Sequence, residues 1–396
     1  MNKHFKVLAS ALLLNSLLLT AILPSMVFAG HSGKKSSCKV QDVKCARAVT
    51  SAFAPNGALW RLWAAQDQLF YSVSNDDGLH FGASQKITIN AQSISAREEN
   101  RPKLVFGGKD NVYISWARPN KSKHTSQVKF IYSTDGGQHF SMPQTVNDGG
   151  GKIKHSYNEM VVTDDGTVVI NWLGGKRKGS VLYSAYGKLS DGQFKFSSKK
   201  LAQGTCVCCR IASSYTADNK VAVMWRNIYD DNIRDHAILT FDQHSADKTP
   251  FRATFDQWQI NGCPHQGPGL SVGGQNRYHM VWFNNGEKAK GIFYAYSDNN
   301  GETTSKPLNL GGAAVQASYA NVLSNGKNVD VVWTQFNGDM YQLYHQRSTD
   351  RGQTFNSATV VAQSADDPDR PFLIKKQGHN FVSWQQPNVG HQVIAL

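Results

Sequence analysis

The sequence has few acidic residues, no helical period and no long apolar run beyond its first 29 residues. Without about 18 consecutive apolar residues, no membrane-spanning helix is expected in that part of the chain. The 42 Lys and Arg residues outnumber the 29 Asp and Glu residues, and the formal net charge is +13. The basic residues are scattered through loops, and no basic helix or basic run interleaved with aromatic residues is present. Nucleic acid is therefore not an expected partner.

The first 29 residues contain the one long apolar stretch and have the organisation of a secretory signal peptide. Lys3 and Lys6 precede an apolar core at 7–23, and Val27-Phe-Ala29 offers a cleavage site before Gly30. We therefore expect an exported protein, periplasmic or secreted, in which residues 30–396 form a single domain. A scattered basic surface on such a protein suits anionic glycans as partners.

In place of a helical period, a strand motif recurs along the chain. Seven segments of alternating apolar residues end in tryptophan, as in 112–116, where Val112, Ile114 and Trp116 share one face of a strand. The seven residues, 51 to 57 positions apart, are Trp63, Trp116, Trp172, Trp225, Trp282, Trp333 and Trp384. A constant spacing in this range indicates a repeat architecture. We predict an all-β propeller of four-stranded antiparallel blades, with seven blades favoured and six as the alternative.

The last repeat has one strand fewer than the others. The segment from Cys38 to Val49 could supply this strand and close the ring of blades. Cys38 and Cys45 lie close together in this segment, and in an exported protein they are expected to form a disulfide that clamps it. The predicted domain is a monomer.

Three repeats carry the turn motif S-x-D-x-G-x-x-F, at 74–81, 133–140 and 348–355, and a worn copy lies at 297–304. The aspartate can accept hydrogen bonds from its own backbone, and the glycine supplies a positive φ. The motif resembles the Asp-box, or BNR, repeats of the sialidase-like propellers. We interpret these boxes as folding elements rather than ligand sites.

The remaining four cysteines fall in the loops that enter two neighbouring blades. Cys206, Cys208 and Cys209 lie in the fourth repeat, and Cys263 lies with His265 in the fifth. Thiolate and imidazole groups together are ligands for a soft or borderline ion such as Cu(I) or Zn(II). Two alternatives remain open: a structural disulfide that staples the two loops, and a redox role for the thiols.

Around these cysteines the chain resembles a bacterial subgroup of sialidase-like proteins. The resemblance rests on C-x-C-C-R at 206–210, R-D-H at 234–236 and W-Q-I-N-G-C-P-H at 258–265. It implies a common ligand site in the axial funnel. The residues expected to support the cysteine cluster or bind an anion are Arg210, Arg234, Asp235 and His236.

Resemblance to the sialidases themselves implies glycoside hydrolysis by a tyrosine nucleophile, with three arginines that bind the substrate carboxylate. For such an enzyme the expected acid/base residue is Glu99 or Glu159. The expected carboxylate-binding residues are Arg101, Arg210 and Arg234. The F/Y-R-I-P motif of that family is absent from the first repeat.

Our leading interpretation is an exported, non-hydrolytic propeller that binds a ligand in its axial funnel, with a transition metal as the favoured ligand. One alternative is an exo-sialidase-type hydrolase that acts on acidic glycans. A second alternative is an interaction scaffold whose cysteines only lock loops together.

Overall fold

The computed structural model describes residues 39–90, 92–108, 110–148, 152–175, 179–244, 249–312 and 316–396. The predicted signal peptide and Cys38 lie outside these residues. Within them the chain forms seven antiparallel sheets, six of four strands and one of three. The fold is the predicted β-propeller, with seven blades rather than six. Among the residues described, no helix is both long and apolar enough to cross a membrane.

The strands of each blade follow one another in chain order. The inner strands are β1 (Val49–Phe53), β5 (Lys103–Phe106), β9 (Lys154–Val162), β13 (Ala212–Tyr215), β17 (Gly269–Val272), β21 (Gln316–Asn325) and β25 (Phe372–Lys376). The second strands are β2 (Leu59–Ala65), β6 (Val112–Asn120), β10 (Val168–Gly175), β14 (Val221–Arg226), β18 (Tyr278–Asn285), β22 (Asn328–Phe336) and β26 (His379–Gln386). The third strands are β3 (Gln68–Ser74), β7 (Thr125–Ser133), β11 (Val181–Ser190), β15 (His236–Phe241), β19 (Lys290–Ser297), β23 (Tyr341–Ser348) and β27 (Gly390–Ala395). The outer strands are β4 (Gln85–Ile87), β8 (Gln144–Thr145), β12 (Gln193–Gln203), β16 (Phe251–Arg252), β20 (Leu308–Gly311) and β24 (Thr359–Ser364). Each inner strand contacts the inner strand of the next blade, and β25 contacts β1, so the ring is closed.

The seven strand tryptophans are each at most 1% exposed, and six of them pack between neighbouring blades. Trp172 of the third blade, for example, packs in one cluster with Val128 and Phe130 of the second. Its indole Nε1 donates to Nδ1 of His155 at 2.9 Å. Trp63 of the first blade instead packs with Ala46 of the N-terminal segment and with Val49 and Phe70. Because six of the seven tryptophans fill the space between two sheets, the recurrent W of the sequence is the repeated packing unit of the fold.

The Asp boxes are closed turns that pack on the preceding blade. Ser133 Oγ donates to Asp135 Oδ1 at 2.7 Å, and the backbone N–H groups of Gly137 and His139 donate to these two side chains. Gly137 has φ +87°, and a Cβ there would lie 2.4 Å from the ring of Trp60 in the first blade. The box therefore needs glycine for both its backbone conformation and its close approach.

The worn copy keeps the same turn although asparagine replaces aspartate. Ser297 Oγ donates to Asn299 Oδ1 at 2.9 Å, and the backbone N–H of Gly301 donates to Ser297 Oγ at 2.9 Å. The backbone N–H of Thr303 completes the pattern at 3.0 Å from Asn299 Oδ1. A neutral amide oxygen thus suffices as the acceptor, which supports a structural role for the boxes.

The N-terminal segment closes the ring without forming a strand. In residues 39–48 the only regular element is one 3-10 turn, Val43–Cys45, and the last sheet has three strands in the described chain. The side chain of Gln385 in β26 donates to the carbonyls of Val43 and Ala46, at 3.1 and 3.2 Å. The expectation of a fourth strand from this segment is therefore wrong, because side-chain bonds to a turn take its place. The Cys38–Cys45 disulfide stays a prediction, since Cys38 is outside the described residues.

Candidate functional site

Strand register places three arginines and two tyrosines at one equivalent position around the axis. To locate this position in a blade, we take the residue just before the strand tryptophan and find its partner on the inner strand. The position lies two residues before that partner. The pairs are Lys103–Ser115, Glu159–Asn171, Ala212–Met224, Asn321–Val332 and Phe372–Ser383. In the first and fifth blades the same rule, through the pairs Thr50–Leu62 and Gly269–Val281, gives Ala48 and Gly267. The ring of large polar residues thus consists of Arg101, Tyr157, Arg210, Tyr319 and Arg370. Tyr157 and Tyr319 both lie in left-handed backbone, at φ +58° and +59°, next to breaks in strand register. Such strain in non-glycine residues persists only where the surroundings enforce it.

A cavity of about 240 Å³ lies beside this ring, between the inner strands. Its charged lining consists of Arg101, Lys103, Glu159, Arg210 and Arg370. Its other walls include the hydroxyl groups of Thr50 and Ser51 and the ring of Phe372. Glu99 and Asp369 pair with the arginines of this lining, so four cations and three carboxylates leave a formal charge of +1 around the cavity.

Two of the three predicted arginines bind backbone inside the protein. Arg101 donates to the carbonyls of Val49 and Arg370, and its Nη2 lies 2.5 Å from Asp369. Arg210 donates to the carbonyls of Pro268 and Ala320, at 2.5 and 2.8 Å. Both side chains are 2% exposed. Each therefore ties its own blade to two others, in place of offering both edges of its guanidinium to a ligand.

The two predicted acid/base residues lie in the same region and are both ion-paired. Glu99, 9% exposed, accepts a backbone hydrogen bond from Arg210, and its Oε1 lies 3.4 Å from Arg210 Nε and 3.9 Å from Arg370 Nε. Glu159 Oε1 lies 2.5 Å from Nζ of Lys103. Lys103 was not predicted from the sequence, although it lies two residues after Arg101 and therefore on the same strand face. Burial lowers the pKa of Lys103 to about 8.

The three cysteines of the fourth repeat converge in the interior. Cys206, Cys208 and Cys209 are 2%, 7% and 1% exposed, and their sulfur atoms all lie within 4.8 Å of one another. The Cys206 sulfur is 3.3 Å from that of Cys208 and 3.8 Å from that of Cys209. These distances exceed the ~2.05 Å of a disulfide bond. Three thiols thus form one cluster in a turn whose backbone is tied to Arg226 by a bond from the Cys206 N–H.

The cluster favours a thiolate at Cys206. Hydrogen bonds from Cys208 and Cys209, together with the charge of Arg234, lower the pKa of Cys206 well below its ordinary value. Arg234 Nη1 donates to the Cys206 sulfur at 3.2 Å. Donation to Cys206 correspondingly raises the pKa of Cys208. A negative charge in the cluster is therefore favoured on the Cys206 sulfur, next to the buried guanidinium of Arg234.

The other residues predicted for this site lie apart from the three sulfurs. Cys263 and His265 are exposed in the loop that enters the fifth blade, and neither belongs to the group of converging sulfur atoms. Among the described residues, Cys263 forms no disulfide that would staple this loop. Asp235 is fully buried and pairs with Arg252 at 2.5 Å, and His236 is buried beside Thr254. Of the four supporting residues, Arg234 is the one with a hydrogen bond to a cluster sulfur.

Comparison with known proteins identifies structures with a similar fold but no protein family. No protein-family model matches the chain, and no curated protein matches it in sequence. Among solved structures, the BP39L lectin from Burkholderia pseudomallei is similar, with a TM-score of 0.65, 11% identity and coverage of 90% of this chain and 96% of that one. A PL25 ulvan lyase has a TM-score of 0.53 and 11% identity, over 89% and 94% of the two chains. The Hadza microbial sialidase Hz136 has a TM-score of 0.49 and 12% identity, over 83% and 73%. The chain is thus similar to propeller lectins and glycan-cleaving propellers in fold alone.

Proposed function

We propose that this protein is an exported, non-hydrolytic propeller that binds a soft cation, Cu(I), through Cys206, Cys208 and Cys209. The observation that carries the proposal is the convergence of three buried sulfur atoms without a disulfide. Thiolate ligands select Cu(I) and zinc over harder ions. Structural zinc requires four ligands. Within the described residues, the cluster brings together three sulfurs and no fourth Cys, His or carboxylate ligand, so its donor set suits Cu(I) better than zinc.

The charges around the cluster support a bound thiolate–copper unit. Three thiolates and one Cu(I) ion carry a net charge of −2, which a buried site must offset. The guanidinium of Arg234 contacts Cys206 directly, and the charge of Arg226 acts on Cys209. Ile228 packs against the three cysteines and helps to exclude water. The two arginines therefore offset the charge of the proposed complex, and Ile228 shields it from water.

Hydrolysis of acidic glycans has less support from the geometry. Arg101 and Arg210 donate to backbone carbonyls of other blades, so neither is available for a bidentate bond to a substrate carboxylate. Tyr157, beside Glu99, is the nearest counterpart of a tyrosine nucleophile, and burial raises its pKa. A nucleophile needs the opposite shift. An anionic glycan thus remains a possible binding partner rather than a favoured substrate.

The proposal is tested by anaerobic titration of the reduced protein with Cu(I) in the presence of a chromophoric copper chelator. We expect one tightly bound Cu(I) per chain, and a loss of affinity of at least about 100-fold in Cys206→Ser, Cys208→Ser and Cys209→Ser. Cys263→Ser is the matched control, because this exposed thiol lies outside the cluster, and it should bind as the wild type does. If the three cluster variants bound Cu(I) as tightly as the wild type, the proposal would be overturned. A disulfide within the triplet of the exported protein, found by mass spectrometry, would instead favour the interaction scaffold.

A further inference from the structure

The axial cavity contains a buried lysine–glutamate pair that is separate from the cysteine cluster. Lys103 lines it from β5, is 7% exposed, and has a single ion-pair partner in the described chain, Glu159, at 2.5 Å. The cavity holds no aspartate or further glutamate among its lining residues. An amine paired with one carboxylate in a cavity lined by further cations can act as a nucleophile toward a carbonyl group.

Arg370 also lines the cavity, and among the described residues its guanidinium makes fewer hydrogen bonds than those of Arg101 and Arg210. Its backbone N–H donates to Asp369, and its Nε lies 3.5 Å from the carbonyl oxygen of Glu98 and 3.9 Å from Glu99. In the part of the chain that the structure describes, its two terminal nitrogens make no hydrogen bond. A planar pair of N–H donors in this state fits a carboxylate in bidentate geometry.

We propose that the axial cavity binds a small 2-oxo acid, with its carboxylate on Arg370 and its carbonyl carbon joined to Lys103 as an imine. The two cationic groups line one cavity of about 240 Å³, which suits a short ligand with adjacent carboxylate and carbonyl groups. Neither role is assigned to the cysteine cluster, and the proposal does not depend on a bound metal.

The step balances without an oxidant or a reductant. The Lys103 ammonium group gives one proton to Glu159, and the neutral nitrogen then adds to the carbonyl carbon. A second nitrogen-bound proton passes to the oxygen of the adduct and makes it a hydroxyl group. Glu159 then gives its proton to that hydroxyl group, the C–O bond breaks and water leaves. The sum is one ammonium plus one carbonyl giving one protonated imine plus one water. Glu159 is therefore the proton carrier, at the 2.5 Å distance observed.

The electrostatic surroundings favour the neutral amine that this step needs. Burial lowers the pKa of Lys103 to about 8; Glu159 opposes this shift, whereas Arg370 and Arg101 reinforce it. Compared with an ordinary lysine of pKa about 10.4, this leaves roughly 200-fold more neutral amine at neutral pH. The charged side chains that line the cavity with Lys103 are Arg101, Glu159, Arg210 and Arg370.

The experiment is reductive trapping of the full exported protein with sodium pyruvate and sodium cyanoborohydride at neutral pH. Peptide mapping by mass spectrometry should find the adduct on Lys103 at least about tenfold above any surface lysine, in line with its larger neutral fraction. K103R keeps a cation beside Glu159 but cannot form an imine, and it should lose this adduct. K129R is the matched control, because Lys129 is equally buried but bonds Thr145 outside the cavity. Labelling spread evenly over lysines, or unchanged total labelling in K103R, would overturn the proposal.

A second variant tests the carboxylate partner. R370Q should raise the pyruvate concentration for half-maximal labelling about tenfold or more, because it removes a charged bidentate donor. Propanal, which has a carbonyl group and no carboxylate, should label Lys103 in R370Q within about twofold of the wild type, which also shows that the cavity is still folded. If R370Q lost labelling by pyruvate and by propanal to the same extent, Arg370 would only support the structure. If R370Q and the wild type were labelled equally by pyruvate, Arg370 would be excluded as the carboxylate partner.

Discussion

At the scale of single residues, the contact between Arg234 and Cys206 adds a charge to the hydrogen bonds from Cys208 and Cys209 that lower the pKa of Cys206. We expect Arg234→Met, which keeps the length of the side chain but removes its charge, to raise the pKa of Cys206 by about one unit or more. The measurement is the ultraviolet absorbance of thiolate against pH in the metal-free protein. Arg277→Met removes an arginine that pairs with Asp298 far from the cysteines, and it should leave the curve unchanged. An unchanged curve in Arg234→Met would contradict the assigned role of Arg234.

A second prediction at this scale compares two adjacent glycines of one Asp box. Gly136 and Gly137 both have positive φ, but a Cβ at Gly136 would meet no atom within 4 Å, whereas one at Gly137 would lie 2.4 Å from Trp60. Gly136→Ala should therefore cost about 1 kcal/mol from backbone strain alone. Gly137→Ala should cost about 3 kcal/mol, because steric overlap is added to the strain. Thermal unfolding of the two variants checks this, and equal melting temperatures would be inconsistent with the packing described.

The cysteine cluster and the axial cavity differ in how far the sequence could predict them. Cys206, Cys208 and Cys209 lie within one turn, so their local spacing was enough to bring their sulfurs together. Cys263 and His265 belong to another loop, whose carbonyls at 266 and 268 bind Arg226 and Arg210, and whose two side chains face solvent. The role of Lys103 could not be predicted, because it depends on which strands meet at the axis, and this is a long-range property of the ring.

At the scale of the single element, the Asp boxes should make the stability of the fold depend on pH under acidic conditions. Hydrogen bonds from the backbone N–H of His139 and from Ser133 lower the pKa of Asp135. A carboxyl group with a lowered pKa stabilises the fold above the pKa it has when unfolded, about 4, and this contribution is lost as the pH falls below that value. Asp135→Asn should remove this part of the pH dependence and cost little at pH 7, since Asn299 accepts the same bonds in the worn copy.

Asp135→Ala serves as the comparison, because alanine provides no acceptor for the turn. It should have a lower melting temperature than Asp135→Asn at pH 7. The measurement is the melting temperature of wild type and both variants at pH 7 and pH 3. If the asparagine and alanine variants were equally destabilised, the bonds of the box would not be the source of its stability.

The blades themselves were predictable to different degrees. The spacing of the tryptophans predicted seven sheets because each blade carries one on its second strand, and six of the seven fill a gap between blades. This local packing requirement is repeated along the chain. The last blade was predicted in part: the N-terminal segment packs on it as expected, but a 3-10 turn bound by Gln385 was found where a strand was expected. A turn held by one distant side chain leaves no periodic pattern in the sequence.

At the scale of the whole molecule, buried histidines should make the propeller sensitive to mild acid. Burial lowers the pKa of His155 to about 4 and of His279 to about 3, and both are 2% exposed. Between these values and about 6.5 the unfolded chain binds protons that the native state does not, so stability falls as the pH drops through this range. Each histidine should contribute up to about 2 kcal/mol of lost stability at pH 5.

The measurement is the free energy of unfolding at pH 7 and pH 5. His279→Gln should weaken this pH dependence, and the same substitution at the exposed His379 serves as the control. This range lies above the pH at which the Asp boxes titrate, so the two effects are separable. A stability that stays constant between pH 7 and pH 5 would show that these histidines are not buried in the neutral form.

The arginines that bind backbone across the axis have a consequence for how the ring comes apart. In most repeat proteins each unit contacts only its neighbours, so unfolding can advance one unit at a time. Here Arg210 joins the fourth blade to the fifth and the sixth, and Arg101 joins the second to the first and the seventh. Loss of one blade therefore removes bonds from blades that are not its neighbours in the ring. Under mechanical force, such a ring should rupture in one large step rather than in seven small ones.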